Sequence, residues 1–226
     1  MNCFKILYQP EKAFGNIGAK PSWGVDCVII SVVLIVISYF LFPVQDRIME
    51  LSLHTLTPEQ REAMKSMSAV TTITRYVTLA LVPLSLLFSS LVTAALVYAG
   101  TSICKGKKVF KELFALSIAA YMIKAIGGYV NTVVLVLIKG VESMQHPLDV
   151  SPTGLNALFD IKNTGVFLYS FLSSITFFEI WFVVVMIFGI SRLAGINAKK
   201  SAVIVITIWL LTTLVIASIA SLTPIP

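Results

Sequence analysis

Lys124 and Glu179 are the ionisable side chains set deepest in apolar sequence, and a charge in that setting needs a partner or a task. A lone charge at the centre of a bilayer costs at least about 2.5–3.5 kcal/mol even on lenient insertion scales. Paired, the two can lock helices in register or hold an ion or polar headgroup in transit. Asn131 shares a helical stripe with Lys124, together with Ser117, Ala120, Tyr121, Gly127 and Gly128, and adds an uncharged polar group to a possible transport site. Such a stripe must face protein. Two further patterns concern contact between helices. Ser85, Ser89 and Thr93 recur at i, i+4 and i+8, and Gly127-Gly128 removes side-chain bulk altogether. Small residues at this spacing let helices approach closely, and hydroxyls can bond across the contact.

Signals for enzymatic chemistry are missing. There is no P-loop, nucleophile elbow, zincin helix or dinucleotide fingerprint. His54 and His146 are the only histidines and have no ligand spacing, so neither a metal nor another cofactor is expected. Cys3, Cys27 and Cys104 are odd in number and form neither a disulfide framework nor a paired metal motif. The sequence names no catalytic residue.

Five apolar stretches must position these side chains: Trp23–Phe42, Tyr76–Gly100, Leu113–Ile138, Val166–Ile190 and Ala202–Leu222. Each reaches the roughly 20 residues that a helix needs to cross a hydrocarbon core of about 30 Å. Backbone groups find no water there, so the spans must be helices. Period-two polar alternation is missing, which excludes a membrane barrel. The expectation is an all-α integral membrane bundle of five transmembrane helices, forming one domain over residues 1–226. The chain is 57% apolar and 12% charged, which leaves too little for a separate soluble core. Its net charge of +6 is spread in short runs beside the spans, suited to lipid headgroups and topology rather than nucleic acid.

Ten basic residues fall in the N-terminal segment, the Thr101–Glu112 loop and the Ser191–Lys200 loop, against six in the opposite loops. The positive-inside rule then puts the N-terminus inside and the C-terminus outside. On that topology Lys124 and Glu179 each lie eleven residues from the inner ends of consecutive antiparallel spans, about 16 Å deep, and can meet. Asp26, near Trp23 at the inner edge of the first span, reads as an exposed anchor. The first apolar run is too long for a signal peptide and lacks a cleavage pattern, so it reads as a retained anchor.

Outside the spans, residues 1–22 form a cytoplasmic segment. Within it, Pro10-Glu11-Lys12-Ala13-Phe14 starts a short interfacial helix with Phe14 and Ile17 on one face. Thr57-Pro58-Glu59-Gln60 has the form of a capping box in the first outer loop.

The run Tyr8-Gln9-Pro10-Glu11-Lys12-Ala13-Phe14, with Ile17 and Pro21-Ser22-Trp23, resembles the start of bacterial Yip1-domain proteins. Phe178-Glu179-Ile180-Trp181, Phe188-Gly189-Ile190-Ser191, Gly195-Ile196-Asn197 and Lys199-Lys200-Ser201-Ala202 resemble their fourth and fifth spans. The resemblance covers essentially the whole chain. It implies a five-span protein of the bacterial cytoplasmic membrane, in contact with membrane lipids and with other membrane proteins or copies of itself. Eukaryotic members contact prenylated small GTPases through a long cytoplasmic N-terminal region. About twenty residues precede the first span here, so GTPase binding is not carried over. The favoured expectation is a non-enzymatic protein that organises lipids or partner proteins. The alternative is a carrier or channel for an ion or lipid headgroup using Lys124 and Glu179.

Overall fold

A computed structural model describes residues 1–53, 68–144 and 148–222. The described residues are mainly helical and contain no strand. His54, His146, the Thr57–Gln60 capping pattern and Thr223–Pro226 lie outside them.

Two short helices open the chain: α1 (Asn2–Tyr8) and α2 (Pro10–Ala19). Pro10 begins α2, where its missing N–H costs nothing. The apolar face of α2 does not lie on lipid as an interfacial helix would. Ala13, Phe14 and Ile17 are buried in the main core with Leu113, Leu116 and Ile190. Ile6 of α1 joins them, so the two helices plug one end of the bundle.

The first apolar stretch forms α3 (Gly24–Phe40) and then bends by 48° into α4 (Phe42–Leu53). Pro43 supplies the cause: it has no N–H to continue the ladder, and its ring crowds the carbonyl one turn back. At α4, Arg47 donates to Glu50 (2.7 Å) and to the Met144 carbonyl (3.3 Å), and Asp46 accepts from Arg75. These contacts tie α4 to the end of the bundle opposite α1 and α2.

The second stretch lies in α5 (Ser68–Ile103), 36 residues that continue through Pro83. The third is α6 (Phe110–Val133), extended by a π-helical turn over Val134–Lys139. α6 is the central element. Leu113, Ala115–Ala120, Met122, Ile123, Ala125 and Gly127 are all buried. α1, α2, α3, α5 and α9 (defined below) all pack against it.

The fourth stretch is not the continuous Val166–Ile190 helix that hydropathy suggests. After a short α7 (Ile161–Thr164), α8 (Val166–Ser173) stops, and a new helix, α9 (Phe177–Ala194), begins after a break of three residues. Thr176 is extended and its hydroxyl accepts the Glu179 N–H, so it is a true N-cap. The carbonyls freed at the break find partners. Ser173 O accepts from the Ser151 hydroxyl (3.3 Å), and Ile175 O accepts from the Leu155 N–H (3.1 Å). Irregular backbone is tolerated among membrane helices where protein satisfies it in this way.

Gly195, at φ 65°, ends α9 in the left-handed conformation that a side chain disfavours. Asn197 then caps α10 (Ala198–Ala220), accepting from the Lys199 N–H at 2.9 Å. Lys107 N–H donates to Ala194 O, joining this turn to the Lys105–Lys111 loop and collecting basic residues at the end plugged by α1 and α2.

The portions Ile73–Ile103, Phe110–Lys139, Phe177–Ala194 and Ala198–Ala220 are each long and apolar enough to cross a membrane, and the bent pair α3–α4 makes a fifth candidate. Much of their apolar surface is exposed, as in Val28, Phe88, Leu211 and Ile219. That is the expected exterior of a bundle whose solvent is hydrocarbon.

Candidate functional site

Lys124 projects from the middle of α6, and Glu179 from the first turn of α9. Lys124 Nζ lies 2.8 Å from Glu179 Oε1. The other faces of the ammonium are aromatic: Nζ is 4.2 Å from the Phe182 ring centroid and 5.9 Å from that of Tyr121. A carboxylate and two ring faces thus compensate a cation away from bulk water. The helix start favours the anion too, because the positive end of the α9 dipole lies beside Glu179.

The backbone approach that permits this contact rests on Gly127, one turn beyond Lys124. A Cβ at Gly127 would lie 2.7 Å from Phe178 Cβ. Its absence lets the first turn of α9 settle on α6 and delivers the neighbouring Glu179 to Lys124. Gly128, read from the sequence as a second packing glycine, has open space where its Cβ would stand. It contributes a carbonyl instead, which accepts from the Thr132 hydroxyl at 2.8 Å.

The pair is not sealed. Lys124 and Glu179 side chains are 32% and 19% exposed, and both line a groove of about 360 Å³ between α5 and α10. Its walls are chiefly apolar, with Val92, Leu96, Met186 and Ile208 among them. Ser89 and Thr93 also line it. Thr93 donates to Ser89 O within its own helix, at 2.9 Å, and not to a neighbour. Ser85 is exposed and bonds Val82 O. The Ser85, Ser89, Thr93 row is therefore not the tight helix–helix contact expected of it. The buried face of α5 runs through Val82, Leu86, Ser90, Ala94 and Val97, one position round. Close approach is made by Gly127, Gly100 against Ile204, and Gly189 against Leu116 and Phe14.

Asn131 does not join the pair. Its Oδ1 accepts from the Thr153 N–H (3.3 Å) and from the Thr153 hydroxyl, while its Nδ2 donates to Ser151 Oγ at 3.4 Å. Asn131 clasps the Ser151–Thr153 loop, and Ser151 in turn supports the break before α9. Its role is to position the segment that carries Glu179.

Asp26 also differs from the exposed anchor that its location suggested. It is 3% exposed, and its carboxylate accepts the Asn2 N–H (3.0 and 3.2 Å) and the Cys3 N–H (3.2 Å). It therefore satisfies the first donors of α1 and docks that helix on α3. Burial, reinforced by Asp26, pushes the adjacent Cys3 thiol from 9.0 up to about 12.

One of these placements had a readable signal. Thr176-Phe177-Phe178-Glu179 has the form of a capping box and marks a helix start inside an apolar run. Gly127 and Phe178 had no comparable signal, since their contact joins segments fifty-one residues apart.

Compared with curated proteins and with solved structures, the chain matches none significantly. The Yip1 domain family model, in contrast, matches residues 4–219. That span takes in most of α1, the broken fourth stretch and both members of the ion pair, and the chain belongs to the Yip1 domain family of multi-span membrane proteins.

Proposed function

We propose that this protein is a non-enzymatic organiser of the bilayer, which orders lipid chains along lateral grooves of its bundle and presents the same surfaces to partner membrane proteins. The observation that carries this reading is the position of Lys124–Glu179: a compensated ion pair on the wall of a chiefly apolar groove. Such a groove takes up hydrocarbon, and the charges hold α6 and α9 in register beneath it. The basic end of the bundle faces the cytoplasm in this reading, in the cytoplasmic membrane of a bacterium, where Lys105–Lys111 and Arg192–Lys200 meet anionic headgroups.

A second reading has its own support. The fourth stretch is discontinuous, and a helix start carrying a carboxylate faces a lysine, an arrangement that carriers use for ions and charged groups. Reconstituted proteoliposomes separate the two. The organiser restricts spin-labelled lipid, translocates neither ions nor fluorescent headgroups, and keeps both properties in a Lys124→Met/Glu179→Leu variant. Translocation by the natural sequence that disappears in this apolar variant would overturn the organiser in favour of the carrier.

A further inference from the structure

α9 bears a second groove, of about 770 Å³, on the side turned toward α2. It shares no lining residue with the Lys124–Glu179 groove. Phe14, Trp181, Val184 and Phe188 give it an apolar interior, while Glu11 and Arg192 stand in its lining near the basic end of the bundle. Trp181 and Arg192 are eleven residues apart on one helix, about 16 Å along its axis. That is the depth of one leaflet in a hydrocarbon core of about 30 Å.

The two charges are available. Glu11 and Arg192 are both exposed, and neither has an ion-pair or hydrogen-bonding side-chain partner among the described residues. They do not neutralise one another although both border the same groove. An occupant complementary to this lining is an amphiphile with a hydrocarbon tail, an anionic group for the guanidinium and a cationic N–H donor for the carboxylate. A guanidinium suits phosphate through paired donors, and a carboxylate offers only acceptors.

We propose that this groove binds a bilayer glycerophospholipid of the ethanolamine type, with an acyl chain along Trp181 and Phe188, its phosphate at Arg192 and its ammonium at Glu11. This assignment deepens the organiser reading by naming a lipid class. A choline headgroup keeps the positive charge but has no N–H for Glu11. A glycerol headgroup has no positive charge and leaves the lipid's net negative charge beside the Glu11 carboxylate.

Trp181 provides the readout. In the full chain with Trp23→Phe and Trp209→Phe, Trp181 is the remaining tryptophan of three. Its fluorescence is followed in phosphatidylcholine vesicles containing brominated-chain ethanolamine, choline or glycerol phospholipid. The ethanolamine lipid should quench at about threefold lower mole fraction than the glycerol lipid, the scale of an exposed charge pair. Glu11→Gln should erase that difference with the helical circular dichroism unchanged, and Arg192→Gln should weaken quenching by all three lipids. Equal quenching by the three headgroups, or an ethanolamine preference that survives Glu11→Gln, overturns the assignment. Either result leaves the restricted-lipid measurement on the Lys124→Met/Glu179→Leu variant intact, so the two readings fail separately.

Discussion

Lys124 Nζ and Glu179 Oε1 stand 2.8 Å apart across fifty-five residues of chain, and the contact exists because α9 begins two residues before Glu179, behind its Thr176 cap. The pair joins the middle of one helix to the start of another. Three independent features converge on it: the Thr176 cap, the missing Cβ at Gly127 and the ring of Phe182 over the ammonium.

Removing either partner leaves an uncompensated charge in an apolar groove. Lys124→Ala and Glu179→Ala should each destabilise the bundle by about 2–4 kcal/mol, whereas the double substitution should cost less than their sum. Denaturant titration of the four proteins in a mild detergent measures the coupling. Additive losses would show that the contact carries no net energy.

The two adjacent glycines should behave in opposite ways. Gly127→Ala forces Phe178 to shift and should destabilise by about 1–3 kcal/mol, as overpacking does. Gly128→Ala meets open space and should be neutral, or stabilising by up to about 1 kcal/mol through better helix propensity. The same denaturant titration decides this, and equal effects at the two positions would contradict the packing described.

Docking of α1 should weaken in alkali. The Cys3 thiol is neutral in the folded protein and is held up at about 12, so the folded state keeps a proton that the unfolded chain releases near 9.0. The stabilisation is complete below about pH 9 and is lost as pH rises toward 12, with the sign set by the tighter proton binding of the folded state. On a background lacking Cys27 and Cys104, alkylation of Cys3 should be slow at pH 8. Asp26→Ala should accelerate it by exposing α1. Rapid alkylation of the natural arrangement at pH 8 would show that α1 is not docked.

Orientation is tested by cysteines placed at Lys107, Lys199 and Lys162, one at a time, on a background lacking the native cysteines. An impermeant reagent applied to sealed cells should label position 162 and leave 107 and 199 unlabelled until the membrane is opened. Labelling of 107 from outside would invert the topology that the basic asymmetry implies.

Hydropathy by itself determined that this is a helical membrane bundle, because the requirement for about 20 apolar residues per crossing is local and can be counted along the chain. The depths of Lys124 and Glu179 could be counted in the same way. Helix breaks could not, because a run such as Val166–Ile190 is equally apolar on both sides of its interruption. Whether it continues depends on partners from elsewhere. Ser151 and Leu155 take the carbonyls freed between Ser173 and Ile175, and Asn131 holds the loop that supplies them. Asp26 lies near a membrane edge in sequence, yet it is buried because Asn2 and Cys3 present backbone donors to it. Tertiary structure alone decided which glycine packs and which polar groups meet, since those outcomes depend on distances between chain segments, and hydrophobicity fixes only how deep each segment runs.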